Sequence, residues 1–219
     1  MKKFIKLKQK TRIAGSFGLL FMFFIVLGLY STQGIESITH SFRSMYEDRL
    51  IPEMDVSVTL ARLYENRVNL ENHITSTDSS ERKMYESKIQ RNNRNIDSLI
   101  RKIGATYLVP EEKQDLKFFS EALQKYRNEE NEMIIKSRLG DTQDALHHLT
   151  HEGDIVFQNT LAPLTKLGID QKLVGEELFR ESLEIARKQK LLAYSITFGA
   201  VVTGLILAFA LTFASVDVD

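Results

Sequence analysis

Two apolar segments without charged side chains constrain this sequence more than any other feature. Residues 13–30 form the first segment, eighteen residues long, and residues 191–214 form the second, twenty-four residues long. A bilayer core about 30 Å thick is crossed by roughly 20 apolar residues of helix. Both segments therefore predict transmembrane helices, and whatever folds from residues 31–190 must begin and end at the same membrane surface.

The first segment also resembles a cleavable signal peptide, because residues 1–12 carry the basic residues of a typical n-region. Residues 27–31, however, read LGLYS and offer no small-residue cleavage site. The apolar run is also longer than a usual signal-peptide h-region. We therefore favour an uncleaved anchor, with the signal peptide as the alternative.

Charge is balanced in total but unevenly distributed. The 219 residues hold 29 Lys and Arg against 29 Asp and Glu, which argues against a nucleic-acid-binding protein with its basic excess. All six charged residues of 1–12 are basic, whereas 31–190 carries 23 basic and 27 acidic residues. The positive-inside rule therefore places both termini in the cytoplasm and 31–190 outside it. The basic residues just before the second segment oppose this orientation, but a loop of this length does not decide topology by its charges.

Residues 31–190 show the periodicity of helices and no strand alternation. Apolar spacing predicts helices over 31–74, 79–103, 110–139 and 154–190, with a short helical piece between the last two, and the last helix enters the second apolar segment without a breaker. The predicted buried face of the first helix shifts near Pro52, where a missing N–H donor should kink the helix. That face consists of Ile35, Ile38, Phe42, Met45, Val56, Leu60, Leu63, Leu70 and Ile74.

Local signals mark the helix boundaries. Asp78 and Glu81 resemble a capping pair at the start of the second helix. Gly104 follows that helix as a stop, and Pro110 opens the third helix at its first turn. Breaks are predicted at Gly140-Asp141 and Gly153-Asp154.

Four amphipathic helices joined by short turns predict an all-α fold, an antiparallel up-down-up-down four-helix bundle. Its first and last helices are continuous with the two transmembrane helices. The predicted organisation is a basic cytoplasmic tail at 1–12, spans at 13–30 and 191–214, an extracytoplasmic bundle at 31–190, and a short cytoplasmic tail at 215–219.

With this pattern, the sequence resembles the four-helix-bundle sensor domain of methyl-accepting chemotaxis proteins and related bacterial transmembrane receptors. The matching stretches are 45–52 (MYEDRLIP), 107–112 (YLVPEE), 126–127 (YR) and 139–141 (LGD). The resemblance covers roughly residues 1–214. It implies a bacterial inner-membrane protein, a homodimer, an outer small-molecule site and a signal that passes through the spans.

The resemblance also implies a HAMP module and a cytoplasmic output domain after the second span. Only residues 215–219 follow that span here. The sequence is therefore expected to be either a fragment of a longer receptor or a receptor-like sensor without an output domain.

Arg67 is the leading candidate for a ligand contact. It lies between Leu63 and Leu70 on the predicted buried face, where an unpaired charge is strongly destabilising. An arginine in such a place can bind a carboxylate through two parallel hydrogen bonds. The resemblance implies arginines of the first helix in a carboxylate pocket at a dimer interface, and Arg62 is the second candidate.

The spacing leaves alternatives open. Five residues separate Arg62 from Arg67, which places them on different helix faces. Arg67 can instead pair with Glu130 or Glu181, which share the predicted core, or extend its charge to solvent. Arg49 resembles Arg67 in position and is a weaker candidate.

Other residue patterns are weaker indications of function. Ala200, Gly204 and Ala208 recur every four residues in the second span and predict close helix–helix packing, with lipid-facing variation as the alternative. The histidines of 147–151 (HHLTH) suggest a surface metal site only weakly, so no metal or cofactor is expected. No catalytic arrangement stands out, and the absence of cysteine excludes disulfides and thiol catalysis.

The sequence therefore predicts a chemoreceptor-like signal-transduction protein and not an enzyme. It would sense an extracytoplasmic small solute, such as a carboxylate, or a partner protein, and relay this by helix displacement. The alternative is a non-sensing membrane scaffold that forms mixed dimers with full-length receptors. Besides such dimers, the lipid bilayer is the expected partner, and no nucleic acid.

Overall fold

The computed structural model describes the backbone of residues 2–216 and the side chains of residues 14–209 except residue 16. Its described residues form helices and turns without any strand, as predicted. The helices are α1 (Lys2–Met45), a π-helical turn (Tyr46–Leu50), α2 (Ile51–Thr75), α3 (Ser79–Ala105), α4 (Pro110–Arg138), α5 (Thr142–Thr150) and α6 (Glu152–Val216). The chain forms two compact units, residues 43–177 and residues 1–42 with 178–219.

The larger unit is a four-helix bundle, and its cross-helix contacts show that each helix is antiparallel to the next. Between α2 and α3, Asn66 bonds Asn93 and His73 bonds Glu86. Between α3 and α4, the contacts are Asp97 with Arg127 and Glu86 with Arg138. The contacts of α4 with α6, and of α6 with α2, also run in opposite directions, as in Thr160–Ala122, Lys166–Asp115, Arg67–Asp154 and Gly168–Val56. The predicted up-down-up-down bundle is therefore confirmed.

The bundle has two apolar core clusters. The larger centres on Phe119, Tyr126 and Phe157 and includes Leu63 and Leu164. The smaller lies toward the α2–α3 turn and contains Leu70, Ile74, Ile89, Ile134, Met133, Ala145 and Leu149. The predicted buried face of α2 is thus confirmed from Val56 to Ile74, with Leu60 partly buried.

The earlier part of that predicted face is wrong at two positions. Ile35 is 63% exposed and Phe42 is 44% exposed. Phe42 packs edge-on against Phe179, with ring centroids 6.5 Å apart. Apolar residues at three-four spacing therefore continue past the part of the helix that the bundle surrounds. Such spacing identifies an apolar face of a helix but does not show which element covers that face.

A π-helical turn precedes Pro52. The Ile51 N–H donates to the Tyr46 carbonyl, one residue further back than in an α-helix. Pro52 has no N–H to donate, so the regular bonding pattern cannot continue there. The helix is therefore irregular here and takes the form of a widened turn, while the kink expected near Pro52 stays a prediction.

Most of the predicted helix boundaries are present. Asp78 caps α3 by accepting from the Ser80 N–H at 2.7 Å, whereas Glu81 accepts from Ser76 instead of completing a capping box. Pro110 begins α4, and the Val109 N–H donates to Glu112 at 2.8 Å. Gly140 lies in the turn after α4 and has φ +93°, a conformation that favours glycine. The break predicted at 153–154 falls slightly earlier, because α6 already begins at Glu152.

A buried ion pair joins the π-helical turn to the start of α4. Arg49 Nη1 lies 2.8 Å from both carboxylate oxygens of Glu112. Arg49 is 4% exposed and Glu112 is fully buried. Since Glu112 also accepts from the Val109 N–H, one carboxylate fixes both the α4 N-terminus and the turn before α2.

A second polar cluster closes the opposite end of the bundle. The buried ring of His73 bonds Glu86 at 2.8 Å, and Arg138 pairs with the same carboxylate. Burial is the main cause that lowers the pKa of His73, so its ring is neutral at pH 7. This cluster ties together the ends of α2, α3 and α4.

The smaller unit contains the two apolar segments. Within it, Leu20 lies beside Gly204, Gly34 beside Gln189, and Phe42 beside Phe179, which indicates two antiparallel helices. Two described helices are long and apolar enough to cross a membrane, and their apolar windows are almost entirely unburied by protein. A core helix of a soluble protein would be mostly buried. A signal sequence would have the same composition as the first segment, so that alternative stays open.

Glu112→Gln is expected to destabilise the chain by about 3–5 kcal/mol, because it leaves the Arg49 guanidinium buried without a counter-charge. The amide still accepts from the Val109 N–H, so the change isolates the ion pair. The free energy of unfolding is measured by helical circular dichroism in denaturant, on the whole chain in detergent.

The matched control is Glu121→Gln on the same helix, whose pairing with Lys117 is exposed and should contribute less than about 1 kcal/mol. The double variant Arg49→Met with Glu112→Leu should recover most of the loss. Equal losses for the 112 and 121 variants would show that the buried pair does not stabilise the bundle.

Candidate ligand-binding sites

A basic groove follows the contact between α2 and α3. It has a volume of about 600 Å³ and is lined by Arg62, Glu65, Val68, Lys88, Arg91 and Asn92, among others. Three cations and one carboxylate therefore face the same space. The excess positive charge favours a small anion.

Arg62 is held at the edge of this basic groove. Its Nη1 donates to Glu65 Oε2 at 2.6 Å, and the side chain is 36% exposed. Asn92, which is buried, donates to the same Glu65 oxygen at 3.1 Å. The buried Arg62 Nε has no partner among the described residues. Arg62 is thus oriented by Glu65 yet keeps donors for a ligand.

Lys88 and Arg91 supply the other two charges from α3. The Lys88 ammonium lies 5.2 Å from the Tyr85 ring centroid. Over the described part of the chain, neither Lys88 nor Arg91 forms an ion pair. Their charges are therefore not neutralised by a neighbouring carboxylate.

Arg67 lies on another side of α2. Its Nη2 donates to the Leu149 carbonyl at 2.5 Å and to Asp154 Oδ1 at 3.0 Å. Its guanidinium also lies 5.1 Å from the Phe157 ring centroid. Arg67 thus connects α2 to α5 and α6, and the structure does not bring it together with Arg62.

The predicted ion pair between Arg67 and Glu130 is wrong. Glu130 accepts a hydrogen bond from Asn93, and Arg67 pairs with Asp154. The core position between Leu63 and Leu70 is occupied by Asn66, which is fully buried, whereas the Arg67 side chain is 16% exposed. Arg67 sits one residue further round the helix, so its charge reaches Asp154. Arg49, the weaker candidate, lies in the buried pair with Glu112.

A polar layer separates the two apolar clusters of the bundle. The Asn66 amide donates to Asn93 Oδ1 at 2.9 Å, and the Asn93 amide donates to Glu130 Oε1 at 3.1 Å. Asn66 is fully buried and Glu130 is 2% exposed. The Tyr126 hydroxyl, Asn66 Oδ1 and Glu130 Oε2 are also buried but lack partners among the described atoms.

Burial has a large effect on the ionisation of Glu130. It raises the pKa of Glu130 from 4.5 to about 7, although the Asn93 hydrogen bond and the charge of Arg127 lower it. An acid with a raised folded-state pKa contributes stability below its unfolded value and loses that contribution as pH rises through the folded value. Ionisation of Glu130 therefore opposes folding above about pH 7.

Sequence reasoning missed Asn93 and the burial of Glu112. Asn66 follows Leu63 by three residues and precedes Leu70 by four, so its spacing marked a core position. Nothing in the local sequence distinguished Asn93 from its neighbours, because its role depends on Asn66 and Glu130 of other helices. Glu112 lies in the first turn of a helix, where acids are common, so its residue type gave no sign of burial.

The structure shows the surroundings of the small residues of the second apolar segment within one chain. A Cβ at Gly204 would lie 4.0 Å from Leu20 Cδ2, so Gly204 faces the other apolar helix. Ala200 is half-buried and Ala208 is exposed. The role of Ala200, Gly204 and Ala208 in packing between chains stays a prediction.

The histidines after α4 form a stacked pair. His147 and His151 have ring centroids 4.0 Å apart, and His148 bonds Glu129 at 2.5 Å. The described residues contain no group of three or more side chains arranged to hold a metal ion.

Comparison with known families identifies the family of this chain. Residues 6–184 match the model of a four-helix-bundle sensory module for signal transduction. The comparison with curated proteins gave no match. The match covers most of the chain, including the first apolar segment, and agrees with the antiparallel bundle. The chain therefore belongs to the family of four-helix-bundle sensory modules of methyl-accepting chemotaxis receptors.

Proposed function

We propose that this protein senses a small extracytoplasmic anion, such as a carboxylate, at the basic groove between α2 and α3. The observation that supports this proposal is that Arg62, Lys88 and Arg91 line the same groove. Glu65 is the only acidic residue that lines it with them. Guanidinium groups match carboxylates in geometry and form charge-assisted hydrogen bonds. A signalling module with a preformed cationic groove is suited to this task.

The proposed signal is a displacement of α6. This helix includes the bundle residues from Glu152 onward and the second apolar segment. Shifts of 1–2 Å between packed helices are within the range of known signalling transitions. A ligand drives such a shift only by binding one arrangement more tightly than the other.

A second copy of the chain is the proposed partner. Met54, Val58 and Val68 are 57%, 40% and 55% exposed and, with Ala61, follow a heptad-like spacing along α2. Such a stripe suits association with the same stripe of another helix. Arg62 adjoins it, so a homodimer would bring the basic groove close to the interface. The same stripe supports the alternative scaffold, which would use it to pair with full-length receptors.

We also propose that the bundle lies outside the cytoplasmic membrane and both termini inside. The basic residues of 1–12 support this orientation. The chain has no cysteine, so Ser79→Cys, at the exposed first residue of α3, gives a single reporter. Membrane-impermeant maleimide should label it on intact bacterial cells. A cysteine that reacts only after the cells are broken would reverse the topology.

Succinate, the first probe in a panel of small mono- and dicarboxylates, is expected to raise the melting temperature of the whole chain in lipid nanodiscs. Arg91→Ala and Arg62→Ala should each weaken binding about 10- to 100-fold, because a hydrogen bond to a charged group contributes about 1.5–3 kcal/mol. Affinity is measured by calorimetric titration.

The matched control is Arg94→Ala, which removes an exposed arginine of α3 that does not line the groove. It should bind as the unaltered chain does. Absence of a shift with every member of the panel would contradict anion sensing. If the chain nevertheless co-purified with full-length receptors, that result would favour the scaffold.

A further inference from the structure

A second groove of opposite character lies between α3 and α4. It has a volume of about 360 Å³ and is lined by Glu86, Ile89, Asn93, Glu130, Ile134 and Arg138, among others. Ile89 and Ile134 are 2% and 8% exposed, so they form an apolar floor. Two carboxylates and one exposed guanidinium line this acidic groove, which therefore has a negative excess when Glu130 is ionised.

Glu130 has an unmet hydrogen-bonding capacity in this acidic groove. Its Oε1 accepts from Asn93 at 3.1 Å, whereas Oε2 is buried and lacks a partner in the described structure. An ionised carboxylate has about four acceptor sites. A buried acceptor left without a donor is destabilising. When Glu130 is ionised, its Oε2 can therefore accept a hydrogen bond from a bound donor.

Neighbouring charged groups are already engaged elsewhere. Arg127 Nη2 donates to Asp97 at 2.8 Å and to the Asn93 carbonyl at 3.2 Å. Arg138 is paired with Glu86, which also bonds the neutral His73. Glu130 thus lacks a direct ion pair, although Arg127 is close enough to act on it through space.

We propose that the acidic groove binds a small organic cation with an apolar body, an alkylammonium compound. Its N–H group donates to Glu130 Oε2, and its alkyl chain packs on Ile89 and Ile134. This places a second ligand, of opposite charge, on another face of the sensory bundle. The inference does not depend on the basic groove, and either site can fail without the other.

The pH dependence of such binding follows from the surroundings of Glu130. The polar and charged groups around it are Asn66 on α2, Asn93 and Glu86 on α3, and Tyr126, Arg127 and Arg138 on α4. Burial raises the pKa of Glu130 to about 7. A cation selects the ionised carboxylate, so binding should tighten about tenfold from pH 6 to pH 8. The ammonium itself stays protonated there, since alkylamines have a pKa of about 10.4.

The test is a titration of the whole chain in lipid nanodiscs with n-butylammonium chloride. Isoleucine methyl signals report the site by nuclear magnetic resonance. The signals of Ile89 and Ile134 should move, with the pH dependence above, while those of Ile96 and Ile103, which belong to the other core cluster, stay in place. Absence of any movement at millimolar ligand would overturn the proposal.

Glu130→Gln should abolish the pH dependence and weaken binding at least about tenfold at pH 8, because the charge is lost. Its melting temperature at pH 8 should equal or exceed that of the unaltered chain, because a buried charge that opposes folding is removed. Glu132→Gln removes an exposed charge of the same helix and should change nothing. Equal binding by the 130 and 132 variants would overturn the proposal.

Asn131→Trp provides a second variant that leaves Glu130 intact. Asn131 is exposed and lines the same groove, so a bulky ring there should fill the entrance and weaken n-butylammonium binding about tenfold. Unchanged affinity in this variant would show that the ligand binds somewhere else.

Discussion

The hydrogen-bonded layer of Asn66, Asn93 and Glu130 sets the register on which the rest of the bundle depends. Apolar helices can slide past one another by a turn with little loss of burial, but a buried polar group loses its partner when they do. Each of the three side chains comes from a different helix. The layer therefore fixes α2, α3 and α4 in one alignment, and both grooves follow from that alignment.

The same layer connects the two grooves through α3. Asn92 points its amide to Glu65 beside the basic groove, and the adjacent Asn93 donates to Glu130 in the acidic groove. Two consecutive residues of one helix thus contact two sites of opposite charge. A rotation of α3 that improves one hydrogen bond changes the other, which provides a physical basis for coupling between two ligands.

Much of the fold could be predicted from local sequence. Three-four spacing, Asp78 as a cap, Pro110 as a helix start and Gly140 as a break identified the helices because these signals act within a few residues. Their antiparallel order followed from the short connections and from the apolar segment near each end. The family match then confirmed the sensory module.

The sites were less accessible to sequence reasoning because they depend on what lies across from a residue. Spacing showed that Arg62 and Arg67 occupy different faces, but not that Lys88 and Arg91 lie opposite Arg62. It did not show that Asp154 pairs with Arg67. It also placed Arg67 in the core where Asn66 is buried, since both positions satisfy the same periodicity.

The proposed relay from ligand to apolar helices is tested most directly by disulfide formation between Leu20→Cys and Gly204→Cys. These positions are in contact, and the chain has no other cysteine. A bound carboxylate that displaces α6 should change the rate of cross-linking in nanodiscs, and the change should vanish when Arg91→Ala is added. An unchanged rate in a chain that demonstrably binds the carboxylate would contradict the relay.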